Sequence, residues 1–174
     1  VKGGNFLNCV CLVEQNNWTN EDWSEKGDIS ELKHIFSDWH PEIQEILEST
    51  KPGSLYKWGL HDRAPMNKWS KGRFSLLGDA AHPMLPFVAQ GAAMAIEDGV
   101  VLASSLSSFD SVALGLNDYE NRRKYRTAKA QRTASRNATI FHLSDFLAIF
   151  RNLVMKFFIK KIMDSFYKYD AISK

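Results

Sequence analysis

One stretch decides the fold of this 174-residue chain: Leu76-Leu77-Gly78-Asp79-Ala80-Ala81-His82-Pro83-Met84-Leu85-Pro86-Phe87-Val88-Ala89-Gln90-Gly91-Ala92-Ala93-Met94-Ala95-Ile96-Glu97-Asp98. Its apolar start stops at Gly78-Asp79, which predicts a short strand, a proline-containing loop and then a helix from Gln90. A carboxylate at the C-terminal end of a strand lies where α/β folds bind ligands. The small residues 91–93 let a flat ligand approach the backbone, and the N–H groups of a first helical turn stabilise negative charge. The stretch therefore predicts a ligand site where the strand passes into the helix.

Strands are also predicted on the N-terminal side of this stretch. Residues 5–14 are rich in apolar and β-branched side chains without a helical period, which is typical of a buried strand. Residues 54–63 place Tyr56, Trp58 and Leu60 on one face, as a half-buried strand does. The turn at Lys71-Gly72 precedes a further short strand over residues 73–77. Together these segments predict part of a mixed sheet.

Helix signals flank and follow the predicted strands. Asp28 with Glu31 resembles a capping box, and Pro41 suits the first position of a second short helix. Asn117 with Glu120 predicts the start of a helix that runs to about Arg136, and a long apolar-rich helix follows it. The predicted fold class is therefore α/β, or α+β as an isolated piece, with helices at the C-terminal end.

The stretch from Gly78 to Asp98 closely resembles the second flavin-binding motif of the FAD-dependent aromatic-ring monooxygenases, the salicylate hydroxylase-like group of the p-hydroxybenzoate hydroxylase superfamily. The resemblance extends to Tyr56-Lys57-Trp58 and to the helix of residues 119–136. It implies a flavin monooxygenase fold and three parts. Residues 1–66 would belong to the substrate-binding domain, residues 67–110 would form the FAD-binding strand, loop and helix, and residues 111–174 would form C-terminal helices.

The resemblance also implies which residues bind FAD. Asp79 would accept hydrogen bonds from the ribityl hydroxyls, and Gly78 would permit their close approach. Backbone N–H groups near residues 91–93 would face the flavin edge that becomes anionic on reduction. The implied cofactor-binding set is Gly78, Asp79, Pro86, Gly91, Ala92 and Ala93. Taken without the motif, Asp79 is better explained as a helix or loop cap than as a ligand-binding residue.

Catalytic and substrate roles follow from the same resemblance. Pro86 and Phe87 would lie beside the isoalloxazine, where the reaction needs a dry pocket, and Gln90 would point toward the substrate or the flavin ring. Arg63 would anchor a substrate carboxylate or lie near the flavin, or else form a structural pair with Asp62. His82 is an acid or base by its chemistry, but the adjacent proline favours a structural hydrogen bond in the loop.

The implied reaction is the hydroxylation of a small aromatic acid or phenol. NAD(P)H would reduce FAD, O₂ would give a flavin C4a-hydroperoxide, and that species would transfer one oxygen atom to the ring. The substrate and the choice between NADH and NADPH are open at this point. The chain has only two cysteines, which cannot form a disulfide framework, so a cytoplasmic, reducing compartment is predicted.

The sequence contains no G-x-G-x-x-G, the motif that binds the FAD pyrophosphate at the start of a Rossmann βαβ unit. Gly3-Gly4 has no third glycine and no preceding strand. We therefore expect the N-terminal Rossmann βαβ unit to be missing, and expect this polypeptide alone to bind FAD weakly and not to turn over. A truncated gene, an excised domain and a split enzyme whose second chain supplies the missing half are the alternatives.

Charge and hydropathy leave one other function class open. Residues 1–50 carry 3 basic and 10 acidic residues, whereas residues 111–174 carry 13 basic and 5 acidic ones. The basic residues 122–136 are spread around the helix that runs to about Arg136, and no nucleic-acid-binding fold accompanies them. No histidine or cysteine spacing suits a metal ion. No segment reaches the roughly 20 apolar residues of a membrane span. The stretch from Phe146 to Tyr169 resembles a basic amphipathic helix. That helix would pack on the enzyme body, or else mediate a homodimer or an interaction with an anionic membrane surface.

Overall fold

The computed structural model describes residues 2–15 and 22–172. The chain divides into two compact units, Val1–Leu60 and His61–Lys174. Residues 16–21 lie outside the described residues, so nothing in the prediction for that part of the N-terminal unit is tested.

The N-terminal unit contains two short helices, α1 (Ile29–Ile35) and α2 (Pro41–Glu48). The carboxylate of Asp28 accepts a 2.7 Å hydrogen bond from the Ser30 amide, so the predicted Asp28 cap of α1 is confirmed, whereas Glu31 accepts a 2.7 Å bond from Lys57. Pro41 occupies the first turn of α2, also as predicted, because that position needs no donated backbone bond. Leu47 of α2 is buried, and so is Phe36, the residue directly after α1.

The strands predicted in this unit do not form. Residues 5–14 have no strand, and residues 54–63 contribute one isolated antiparallel bridge between Lys26 and Tyr56. Two backbone hydrogen bonds flank that bridge, from Gly27 to the Leu55 carbonyl at 3.1 Å and from Lys57 to the Glu25 carbonyl at 3.0 Å. Both segments have strand-like side-chain patterns, but a strand also needs a neighbour that takes its backbone N–H and C=O groups. Among the described residues neither segment has such a neighbour along its length.

The C-terminal unit begins with a hairpin of two-residue strands, β1 (Ser70–Lys71) and β2 (Phe74–Ser75). They pair antiparallel, with Ser70 opposite Ser75 and Lys71 opposite Phe74. The turn predicted at Lys71-Gly72 is confirmed, but the predicted mixed sheet is wrong for the described part of the chain. The structure there is mostly helical, with this one small sheet.

Three helices make up the rest of this unit: α3 (Gly91–Ser108), α4 (Val112–Phe141) and α5 (Asp145–Tyr167). Helix α4 begins six residues before the predicted start, because its N-cap residue is Ser111 and not Asn117. Helices α3 and α4 pack closely where α4 carries Gly115, because a Cβ there would lie 3.1 Å from the Leu106 Cα. One buried cluster joins this pair of helices to the hairpin and loops: Trp69, Ala81, Val101 and Tyr119. A second lies further along: Val88, Met94, Ala130, Ala134 and Phe166.

Helix α5 is confirmed as a helix, but it is not amphipathic. Its apolar side chains are largely exposed, with Phe146 at 77% and Phe157 at 69% of full accessibility. Basic residues are interleaved with them around the helix, since Lys161 follows Phe157 by four positions and therefore lies on the same side. The prediction treated the apolar and basic residues as two separate faces, and their positions do not divide in that way.

Candidate functional site

The Gly78 turn, residues 78–82, forms the centre of the candidate site. Gly78 has φ +59°, and its carbonyl accepts hydrogen bonds from the amides of Ala81 and His82, both at 2.9 Å. A Cβ at Gly78 would lie 3.2 Å from the Cβ of Ala95 on α3. Glycine is required here both for the left-handed backbone and for the close approach to α3.

Asp79 extends from this turn into solvent. Its carboxylate has no hydrogen-bond partner among the described residues, and the residue is exposed. One of its oxygens, Oδ1, lies 3.9 Å from the position that a Cβ on Gly91 would occupy. Asp79 therefore lies beside the start of α3 without capping it, because Gln90 is the N-cap residue and the helix has no side-chain cap bond.

The first turn of α3 leaves its backbone donors free. Met94 is the first residue of the helix whose amide is bonded, to the Gln90 carbonyl at 2.8 Å, and the amides of residues 91–93 have no partner in the described part of the chain. Ala92 is exposed and Gly91 is half-buried. The Gln90 side chain is buried, at 3% of full accessibility. The partial positive charge of a helix N-terminus is thus available next to the Asp79 carboxylate.

The loop between the Gly78 turn and α3 is held from the α4 side. The Gln131 side-chain amide donates to the carbonyls of Arg63 and Pro83, both at 3.0 Å. Asn137 donates to the Phe87 carbonyl at 3.1 Å, and the Phe87 ring packs 5.8 Å from that of Phe141 at the end of α4. The loop contains the short helical turn Pro86–Val88, in which Pro86 is exposed and Phe87 half-buried.

Arg63 contacts the same turn rather than its sequence neighbour. Its guanidinium donates to the Ala80 carbonyl at 2.8 Å. The Asp62 carboxylate instead accepts from the Ser135 hydroxyl at 2.6 Å. The structural pair between Arg63 and Asp62, which was one alternative from the sequence, does not form. Arg63 bonds instead to Ala80, the residue that follows Asp79.

A buried carboxylate, Asp98 of α3, binds the Gly78 turn from the protein interior. Its Oδ2 accepts from the Gly78 amide at 3.0 Å and lies 2.5 Å from Nε2 of His82. Its Oδ1 accepts from Nε of Arg123 at 2.7 Å. Burial opposes ionisation, but the hydrogen bonds from His82, Arg123 and the Gly78 amide lower the pKa of Asp98 below its ordinary value. The structural alternative for His82 is thus supported.

Arg123 links this cluster to a second carboxylate. It lies 2.8 Å from Glu97, which also receives two 2.6 Å hydrogen bonds from Arg126. Burial would lower the pKa of Arg123, but its bonds to Asp98 and Glu97 raise it. Two of the basic residues of α4 are therefore neutralised inside the protein and do not contribute to a basic surface.

Sequence reasoning assigned no role to Asp98 and counted Arg123 only among scattered basic residues. The available signal was spacing: Tyr119, Arg123, Arg126 and Ala130 recur at three- and four-residue intervals, as one buried face of a helix requires. Tyr119 lies on that face, and burial raises the pKa of its hydroxyl, which donates to the Leu76 carbonyl at 3.2 Å.

The comparisons with known proteins identify the family of the chain. Residues 9–134 match the family model described as FAD binding domain. The chain belongs to the FAD-dependent aromatic hydroxylase family. It is 43% identical over 122 residues to 6-hydroxynicotinate 3-monooxygenase of Pseudomonas fluorescens, a match that covers 68% of this chain and 30% of that protein. It is 34% identical over 172 residues to 3-hydroxybenzoate 6-hydroxylase of Klebsiella oxytoca, covering 97% of this chain and 41% of the relative.

The solved structures agree on the fold. A substrate complex of salicylate hydroxylase superposes with a TM-score of 0.72 at 24% identity, over 91% of this chain and 39% of that structure. The predicted family is confirmed, and the structure is similar to part of a flavin monooxygenase fold. The chain spans about a third to two fifths of the length of the relatives that it matches.

FAD is the cofactor of this family, and the residues present fit it. The glycine turn, the exposed carboxylate of Asp79 and the free amides of residues 91–93 form one continuous polar edge. A polyhydroxyl chain needs acceptors such as that carboxylate, and a flavin ring edge needs donors such as those amides. Within residues 2–15 and 22–172, no group of three or more histidine, cysteine, aspartate or glutamate side chains is arranged for a metal ion. Nor does any helix among these residues have the length and hydropathy to cross a membrane.

Proposed function

We propose that this chain supplies the ribityl- and ring-binding part of an FAD- and NAD(P)H-dependent monooxygenase that hydroxylates a small aromatic acid or phenol. One observation supports this most directly: the Asp79 carboxylate is exposed and unpartnered among the described residues, beside the bare first turn of α3. A carboxylate that served only as a cap would be bonded to those amides.

In this proposal each group has one task. Asp79 accepts hydrogen bonds from ribityl hydroxyls, and Gly78 keeps the backbone free of a side chain at that point. The amides of Gly91, Ala92 and Ala93 donate to the anionic edge of the reduced ring. When bound, FAD would supply the redox chemistry by which NAD(P)H provides two electrons, one oxygen atom of O₂ enters the substrate and the other leaves as water.

The loop residues exclude water and orient the reactants. Pro86 and Phe87 border the ring on the side held by Asn137, where an apolar wall keeps the reactive flavin dry. Gln90 and Arg63 are the proposed substrate-side residues. Arg63 has a guanidinium that suits a carboxylate, and the similar proteins are named for a hydroxynicotinate and a hydroxybenzoate.

In this proposal residues 1–66 contribute to substrate binding and residues 67–110 bind FAD. Residues 111–174 form helices that pack against the FAD-binding segment. The sequence has no G-x-G-x-x-G, so in this proposal the adenosine end of FAD is bound by other residues. Those would come from further residues of the same protein or from a separate chain. The cytoplasmic location stays a prediction.

A flavin titration tests the proposal. The chain should quench or enhance flavin fluorescence on binding FAD weakly, with no NADH-dependent O₂ uptake. Asp79→Asn should weaken binding roughly tenfold, because it removes charge-assisted acceptors. Asp110→Asn is the matched control, since Asp110 is exposed in the same unit and has no hydrogen bond among the described residues. Equal affinity of wild type and Asp79→Asn would contradict the assignment, and tight stoichiometric binding with turnover would refute the expected inactivity.

A second candidate is a non-catalytic module that binds an anionic membrane surface, and it rests on the exposed apolar side chains of α5 and not on an amphipathic face. These side chains include Ile149 at 69% and Phe150 at 62%, with Lys156 and Lys160 among them. Co-sedimentation with vesicles containing an anionic lipid should then occur at low salt and decline at high salt. Equal recovery with neutral and anionic vesicles would exclude this function.

A further inference from the structure

We infer that Asp98 is a positioning residue for the cofactor site, holding both ends of the Gly78 turn and so setting where Asp79 lies against α3. The inference rests on the proposed function for its link to FAD. The turn itself is defined by contacts within this chain.

The geometry is that of a single oxygen atom bonded to two points of one short turn. Oδ2 of Asp98 accepts a 3.0 Å hydrogen bond from the amide of Gly78, the first residue of the turn. The same oxygen lies 2.5 Å from His82 Nε2, at the last residue of the turn. Asp79 lies between the two, so the path of its backbone is fixed from the interior while its side chain remains in solvent.

The orientation of the Asp98 carboxylate is itself fixed. Arg123 from α4 donates to Oδ1 at 2.7 Å, and both residues have fully buried side chains. Asp98 belongs to α3, the helix whose first turn lies beside the Asp79 carboxylate. One helix therefore provides both the free amides and the group that holds the acidic turn next to them.

A purely stabilising ion pair would act differently from a positioning group. It would change the global unfolding equilibrium and leave the relative protection of the turn unaltered. Neighbouring Glu97 separates the two roles. It shares Arg123 with Asp98 at 2.8 Å but has no bond to the Gly78 turn among the described residues.

The experiment compares Asp98→Asn with Glu97→Gln in the full chain by amide hydrogen exchange without FAD. In Asp98→Asn the amides of residues 78–82 should exchange about tenfold faster or more, relative to amides in the centre of α4. In Glu97→Gln the turn and the α4 amides should change in parallel. Parallel change in Asp98→Asn would overturn the inference.

A second variant covers the case in which Asp98→Asn does not fold. His82→Leu leaves the Asp98–Arg123 pair and the Gly78 bond in place, and removes only the second end of the turn, because leucine has no hydrogen-bond donor. It should raise exchange at residues 81 and 82 with less effect on global unfolding. Exchange at wild-type rates in this variant would count against Asp98 holding both ends.

FAD titration of the same variants tests whether the position of the turn affects FAD affinity. Affinity should fall about tenfold in Asp98→Asn and stay within about twofold in Glu97→Gln. If wild type binds FAD and Asp79→Asn weakens it while Asp98→Asn does not, positioning by Asp98 is wrong and the proposed function survives. If wild type binds no FAD, the proposed function fails, and the exchange result alone decides whether Asp98 holds the turn.

Discussion

Replacing Arg123 with methionine tests how much the buried charged groups contribute to the unfolding free energy. Methionine keeps an unbranched apolar chain of similar length but removes the bonds to Asp98 at 2.7 Å and to Glu97 at 2.8 Å. Each charge-assisted bond is worth about 1.5–3 kcal/mol, and breaking one side of a buried pair costs about 3–5 kcal/mol. We therefore expect Arg123→Met to lose about 3–5 kcal/mol of unfolding free energy, which lowers the Tm by roughly 6–20 °C for a chain of this size.

Urea unfolding followed by tryptophan fluorescence measures the loss, because Trp69 is buried in the same unit. Arg122→Met is the matched control. Arg122 precedes Arg123 on α4, but its 3.6 Å pair with Asp118 is partly exposed and should contribute less than about 1 kcal/mol. If the two variants lose the same unfolding free energy, the bonds of Arg123 to Asp98 and Glu97 do not contribute the stability expected of them.

The same variant should have a characteristic pH dependence. In the wild type the pKa of Asp98 is lowered, so its contribution to stability is present above the ordinary carboxyl pKa and is lost as pH falls through the lowered value. Without Arg123 the pKa of the buried Asp98 must rise, and the carboxyl can become neutral at a higher pH. The stability difference between wild type and Arg123→Met should therefore be largest near neutrality and narrow as the pH is lowered. A difference that stays constant down to about pH 4 would refute this electrostatic explanation.

Two backbone substitutions give opposite predictions. Ala89 has φ +51°, so Ala89→Gly should release about 1–2 kcal/mol of strain against about 0.5–1 kcal/mol of added chain entropy, and a higher urea midpoint would verify the net gain. Gly78→Ala should instead lose about 1–3 kcal/mol, because φ is +59° and the new Cβ would lie 3.2 Å from that of Ala95. Gly99→Ala is its control, since Gly99 lies within α3 with open space around it and should gain about 0.5–1 kcal/mol in the same urea assay. A loss at Gly99 or a gain at Gly78 would mean that backbone geometry does not govern these sites.

Local signals predicted the parts of the fold that depend on local chemistry. The Asp28 cap, the Pro41 helix start and the turn at Lys71-Gly72 each involve bonds or dihedral angles within a few residues, and each is confirmed. Residues 5–14 have equally strong strand composition, but strand formation depends on a partner elsewhere. Pattern alone could not supply that information.

The candidate site divides in the same way. The motif in sequence indicated the Asp79 turn and the small first turn of α3, and the structure places them side by side. The buried hydrogen bonds of Asp98 and Arg123 were missed, because charged residues are expected at the surface unless a buried partner is known. His82 was assigned correctly to structure, but its partner, 16 residues further along the chain, was not identified.

The Asp98 cluster also limits the order in which this sequence can change. Asp98, His82 and Arg123 come from three separate segments, and each neutralises or bonds a buried group that no solvent reaches. Substitution of any one member leaves the others with an uncompensated charge or donor, so effects at these positions will not be additive. A variant that alters one member should therefore regain stability through a compensating change at another. A library that varies these three codons together should recover combinations that are more stable than the sum of the three single substitutions predicts.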